Sequence, residues 1–124
     1  EHNYEFSCKS FLDIDINLLS KDSFIYADPP YLITCATYNE QNSWNESLEF
    51  ALYEFLDKVH NHGLKFALSN VISSNDKENI ILKDWLSRNS DKYKVIHLNH
   101  SYSNSNYQRK NKEKFSDEVL IINY

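Results

Sequence analysis

One glycine, two prolines and two cysteines serve a chain of 124 residues, and each scarcity narrows what the chain can be. Glycine lets a backbone turn tightly or approach a phosphate closely, and Gly63 alone cannot serve a glycine-rich nucleotide loop. Cys8 and Cys35 show neither CxxC nor Cys/His spacing, which leaves no basis for a zinc site or a disulfide framework and points to free thiols in a reducing, cytoplasmic setting. No apolar stretch reaches membrane-spanning length and no charged-then-apolar leader is present, so no membrane partner is expected. The five histidines are scattered without carboxylates at ligand spacing, so no metal is expected, and no Ser-His-Asp motif is visible. Net charge is −5, from 13 basic and 18 acidic residues, which argues against nonspecific nucleic-acid binding by the whole surface. By length, residues 1–124 form one domain. The first residue is Glu1 rather than Met, which suggests a fragment.

What is present is strongly patterned. Residues 24–27 form a short apolar run stopped by the only two prolines, Pro29 and Pro30, as expected of a buried strand. Ser43-x-x-Glu46 has the form of a capping box and predicts a helix start. Leu48, Ala51, Leu52, Phe55, Leu56 and Val59 follow at helical spacing as one apolar stripe, with charges on the other side. Gly63 is placed to close this helix in a left-handed conformation. Residues 64–69 predict a second strand, residues 77–88 a second helix with Ile81, Leu82, Trp85 and Leu86 inward, and residues 93–99 a third strand. The run Glu118-Val-Leu-Ile-Ile-Asn-Tyr124 reads as a last strand buried on both faces. Alternating strands and helices imply an α/β fold with a mainly parallel sheet. The last two strands have no helix between them, so one antiparallel strand is expected near the C-terminus.

The stretch Phe24-Ile-Tyr-Ala-Asp-Pro-Pro-Tyr-Leu32 carries the chemistry. Each proline fixes its own φ and pushes the residue before it into extended backbone. Asp28 and Tyr31 are therefore held in a stiff frame beyond a strand end, where ligands of such sheets bind. One reading is a strand terminator whose Asp caps a turn, since Pro and Asp are ordinary turn residues. The other is a site for a planar base with an exocyclic amine. Such an amine is a poor nucleophile because its lone pair is delocalised, and two acceptors that bind both amino hydrogens favour a tetrahedral nitrogen with the lone pair free. Asp28 and the Pro29 carbonyl would be those acceptors, and Tyr31 would offer a face for stacking worth about 1–3 kcal/mol.

Asp28-Pro29-Pro30-Tyr31 matches the DPPY motif of amino-methyltransferases, and the wider pattern resembles the Dam-like, D12-class adenine-N6 DNA methyltransferases. The resemblance extends through Ser10-Phe11, the Thr37-Tyr38 loop, Ser69-Asn70, the polar and basic segment 101–114, and the last strand from Glu118. It implies a partial Rossmann-like S-adenosylmethionine-dependent methyltransferase fold that transfers a methyl group from S-adenosyl-L-methionine to N6 of an adenine flipped out of DNA. It also implies catalytic roles for Asp28, Pro29, Pro30 and Tyr31, and cofactor contacts from Asp28 and Phe11. Tyr38, Asn70, Arg109, Lys110 and Lys112 are the expected DNA contacts, the basic ones through phosphates. Ser10 stands where the family often has an Asp. The family's glycine-rich cofactor loop and target-recognition region have no counterpart in these residues, so the isolated chain is expected to be inactive and to expose a sheet edge that invites self-association. A non-catalytic nucleic-acid-binding module and an RNA amino-methyltransferase are the alternatives.

Overall fold

A computed structural model describes residues 3–34, 44–98 and 116–124. Two single-turn 3-10 helices, Phe11–Asp13 and Ile16–Leu18, precede strand β1 (Phe24–Ala27), which ends at the Asp-Pro-Pro turn. Helix α1 spans Glu46–Asn61. Its N-cap is Asn45, whose side chain accepts from the Leu48 amide at 2.9 Å, so the cap falls two residues beyond the one the Ser43 pattern predicts. The helix closes as expected on Gly63, at φ 79°. The Gly63 amide donates to the His60 carbonyl and the Leu64 amide to the Val59 carbonyl, a Schellman arrangement that needs a residue free to adopt positive φ.

Strand β2 (Lys65–Ser74) runs well past the predicted end and turns at Asn75, φ 57°, into the two-residue β3 (Lys77–Glu78). Lys77 and Glu78 are thus strand rather than the start of the second helix. Helix α2 (Ile80–Arg88) begins after its cap Asn79, whose side chain accepts from Leu82. Strands β4 (Lys94–His97) and β5 (Ser116–Ile122) complete the described elements.

The sheet is mixed, in the order β1-β2-β5-β4 with β3 attached to β2. β1 pairs parallel to β2, while β2–β3, β2–β5 and β4–β5 are antiparallel. Among the described ladders only β1–β2 is parallel, fewer than the element order suggests, while the last two strands pair antiparallel as expected. The reversed strand β5 lies between β2 and β4, so its single reversal makes both of its ladders antiparallel.

Both helices cover the same face. Phe66 and Asn70, on one side of β2 by the two-residue alternation, meet Trp85 of α2 and Glu49 of α1 respectively. There Trp85 stacks on Tyr53 at 4.5 Å and 8° and packs against Phe66 and Tyr93. The opposite face carries Phe24, Tyr26, Ile96 and Tyr124, all exposed. Strand β5 is accordingly buried on one side only. Val119 and Ile121 are fully enclosed, while Leu120 and Ile122 are half-buried.

Candidate active site

Strand alternation places Asp28 on the uncovered face, in line with Phe24 and Tyr26. Its carboxylate is exposed, and Pro29 and Tyr31 beside it are half-buried. The turn is braced from behind, because both the amide and the hydroxyl of Thr34 donate to the Tyr31 carbonyl, at 3.0 and 3.3 Å. Burial raises the Tyr31 phenol above its ordinary pKa, and the nearby negative charges of Asp28 and Glu118 raise it further. Each of these disfavours a phenolate. One rim of the sheet therefore gathers Asp28, Tyr31 and Glu118, with Tyr26 bonded to Ser69 at 2.7 Å alongside.

Sequence reasoning does not single out Glu118 as a site residue. It lies opposite Val71 across the β2–β5 ladder, and only the sheet order brings β5 next to β2. Nothing in the sequence alone fixes that order, although Glu118 does head the strand quoted for the resemblance.

Asn70 requires a correction. It is 1% exposed, and its amide donates to Glu49 Oε2 and to the Tyr53 hydroxyl, each at 3.0 Å, while its oxygen accepts from the Val71 amide. With its polar atoms engaged inside the protein, it presents no surface to DNA. Phe11 sits at the first 3-10 turn, half-buried against Phe55 at 5.8 Å and Trp44 at 6.2 Å, and lines a cavity of about 310 Å³ beside α1. Tyr38, Arg109, Lys110 and Lys112 lie outside the described residues.

A polar cluster that sequence reasoning missed lies beneath the covered face. Glu49, assigned by the helical stripe to the charged side of α1, is wholly buried. Its Oε1 accepts from Trp44 Nε1 at 2.7 Å, and its Oε2 from the Tyr53 hydroxyl, from Asn70 and from Asn79 at 2.8 Å. Trp44 and Glu49 flank the cap at N′ and N4, where many helices place an apolar staple. Here the staple is a hydrogen bond.

Among the described residues no group of three or more His, Cys, Asp or Glu could hold a metal ion. No helix of the described residues is long and apolar enough to cross a membrane. His60, His62 and His97 are each engaged in hydrogen bonds, with Asn123, Asn17 and Asp117 among their partners.

Comparison with known proteins adds a family. The family model for D12 class N6 adenine-specific DNA methyltransferase matches residues 1–104. The type II methyltransferase M.FokI of Planomicrobium okeanokoites is 42% identical over 128 aligned residues, covering 100% of this chain and 19% of that protein. The modification methylase StsI of Streptococcus sanguinis is 44% identical over 96% of this chain and 18% of its own length. The modification methylase LlaI of Lactococcus lactis subsp. lactis is 30% identical over 93% of this chain and 17% of its own length. The chain thus spans less than a fifth of these relatives.

Proposed function

The chain belongs to the D12 class of N6 adenine-specific DNA methyltransferases, and from that premise we propose that it is the carboxyl-terminal part of a catalytic domain within a longer enzyme that methylates adenine N6 in DNA. The names of its relatives favour a modification methylase of a restriction-modification system. Such an enzyme acts in the cytoplasm, where the DNA is.

S-adenosyl-L-methionine, bound, supplies an electrophilic methyl on a cationic sulfonium. The rim suits a cationic donor: Asp28 and Glu118 share it, and among the described residues neither is taken up by an ion pair. Asp28 accepts one hydrogen of the adenine amino group and the Pro29 carbonyl accepts the other, which turns the nitrogen lone pair outward. Tyr31, a neutral phenol that its surroundings move still further from ionisation, offers its ring to the flipped base. Once the nitrogen carries the methyl group it becomes acidic, and Asp28 is the nearest acceptor for the proton it sheds. The prolines hold these groups still, because catalysis by alignment tolerates little displacement.

The finer architecture follows from the same premise. β1 is an edge strand of the described sheet, and its open side suits a further parallel strand from the rest of the enzyme, with the bare face covered by the same part. In isolation, that edge and face favour self-association. Phosphate contacts are assigned to Arg109, Lys110 and Lys112, and a base contact to Tyr38.

The observation that carries this proposal is an exposed Asp28 beside a braced Tyr31 at the end of β1, within the matched family segment. The test is transfer of labelled methyl from S-adenosyl-L-methionine to duplex DNA. The longer protein is expected to label adenine, its Asp28→Ala variant not to, and the 124-residue chain alone not to. Turnover by the isolated chain would refute the fragment assignment.

A further inference from the structure

Glu49 is the one acidic side chain among the described residues with no exposure to solvent. All four groups that bond it are neutral donors, from Trp44, Tyr53, Asn70 and Asn79, and no cation stands against it in the described ion pairs. Stability alone does not explain such a group. Removing a carboxylate from water is costly, and replacing a buried polar group together with its partners by well-packed apolar side chains is often neutral or stabilising. What an apolar side chain cannot supply is direction. The four donors come from separate segments: Trp44 just ahead of α1, Tyr53 within it, Asn70 on β2 and Asn79 at the cap of α2.

Two links tie this cluster to the candidate active site. Asn70 is two residues beyond Leu68, the register partner of Ala27, so it fixes the stretch of β2 beside the Asp28 turn. Trp44 and Asn79, together with Leu32 and Ile33, wall a cavity of about 410 Å³, and Leu32 directly follows Tyr31. One carboxylate thus aligns both the neighbouring strand and the wall behind the turn.

We propose that Glu49 is a positioning residue for methyl transfer, holding Trp44, Asn70 and Asn79 in a single frame against which the Asp28–Tyr31 turn is set. This rests on the methyltransferase assignment above. Glu49 does not touch the substrate. Its effect runs through alignment, where a displacement of about 1 Å can cost about a hundredfold in rate. A glutamine in its place turns one acceptor into a donor and leaves at least one of the four neighbours without a partner.

The experiment uses the longer methylase with wild-type sequence and the variants Glu49→Gln, Glu49→Leu, Glu49→Gln/Asn79→Asp and Asp28→Ala. Methyl transfer to duplex DNA is measured well below each variant's unfolding midpoint. Both single Glu49 variants are expected to lose about tenfold or more in kcat, with KM for S-adenosyl-L-methionine and for DNA within about twofold of wild type. In the double variant the carboxylate introduced at the α2 cap accepts from the amide introduced on α1 and still caps its helix, so kcat is expected to recover severalfold over Glu49→Gln. Glu49→Leu removes the buried carboxylate at similar volume but leaves its four donors facing an apolar side chain, so the unfolding midpoint of every variant is measured first and Glu49→Gln/Asn79→Asp serves as the folded control. A folded Glu49→Gln or Glu49→Leu with kcat within about twofold of wild type would overturn the proposal. If that happens while Asp28→Ala is inactive, the methyltransferase assignment stands and only the role of Glu49 falls. No transfer by the wild-type protein would overturn both.

Discussion

The two faces of one sheet differ in almost every respect. On the helix-covered face, Phe66, Leu68 and Asn70 of β2 are buried under an aromatic column and a hydrogen-bonded carboxylate. Among the described residues, every buried side-chain nitrogen and oxygen has a partner. On the bare face, Phe24 is 50% exposed and Tyr26 59%, with an edge-on Phe24–Tyr124 contact, the Tyr26–Ser69 bond and Lys65 over the Tyr124 ring as cross-strand ties. The contrast separates two tasks. The covered face supplies the rigidity, and the bare face presents the rim where Asp28, Tyr31 and Glu118 meet.

The largest effect is expected where rigidity is concentrated. Trp85 is almost fully buried, contacts Tyr53, Phe66 and Tyr93 and donates its indole N–H to Asp57 at 3.0 Å. Trp85→Ala removes a large buried ring and is expected to cost about 3–5 kcal/mol in urea unfolding. A loss below about 1 kcal/mol would mean that the covered face is not the stabilising one. Asp28→Ala probes the other side of the contrast. Methyl transfer by the longer enzyme is expected to fall by a factor on the order of 10²–10³, the scale for removing a preorganised polar group. The unfolding midpoint is expected to stay put, because Asp28 is exposed.

Next comes alkaline pH. Burial raises the Tyr53 and Tyr93 phenols above the ordinary value of 10.0, with Glu49 adding to the effect at Tyr53 and Asp57 at Tyr93. A folded-state pKa above the unfolded one favours the folded protein at every pH below the unfolded value and loses that contribution as pH climbs past it. Stability is therefore expected to decline from about pH 10 upward, with no counterpart from these groups on the acid side. Urea midpoints measured from neutral pH to above about 10 check this. Tyr53→Phe and Tyr93→Phe should each flatten the alkaline slope while lowering stability at neutral pH by about 1–2 kcal/mol, the cost of a lost buried hydrogen bond.

How much of this is legible in the sequence depends on whether the signal is local. The apolar stripe of α1 and the closure at Gly63 are written in spacing and in one residue's conformational freedom, and both are present in the structure. So is the stop of β1 at the prolines. The start of α1 is misplaced by the Ser43 pattern because Ser43 and Asn45 are both good caps, and the sequence does not say which one the chain uses. Sheet order is out of reach. β5 pairs with β2 across more than forty residues, and its insertion between β2 and β4 follows from packing rather than from its own composition. Glu49 and Asn70 are misread for a related reason. A carboxylate on a helix and an amide after a strand look solvent-facing until each becomes the other's partner in the interior. Within the site, the Asp28–Tyr31 turn is legible because proline constrains its neighbours locally, and Glu118 is not, because its proximity depends on strand order.

The bare face should yield smaller effects. Tyr26→Phe removes only the hydroxyl that meets Ser69 at an exposed position, and a cost of about 1 kcal/mol is expected. Replacing Phe24 and Tyr26 together by Ser is expected to reduce self-association of the isolated chain in sedimentation velocity, since these rings form part of the uncovered patch. If association were unchanged, the open edge of β1 rather than the face would be responsible, a distinction that a proline placed in β1 would test.

The smallest effect is expected on the outer surface of α2, where the contrast between faces no longer applies. Arg88 Nε lies 3.0 Å from Asp84, four residues before it, with side chains 58% and 63% exposed, and Lys83 meets Glu78 at 3.0 Å with both about half exposed. Water screens both pairs, and ordering two long side chains offsets most of the Coulombic gain. Arg88 also lies in the last turn of its helix, where a cation is favoured by the helix dipole. Arg88→Ala therefore removes two weak terms of the same sign, together about 0.5 kcal/mol. The loss should shrink further in high salt, whereas the Trp85→Ala cost should not. A salt titration of both variants thus separates surface charge from burial in the same helix, and equal salt sensitivity in the two would show that α2 is held by its charges rather than by the face it covers.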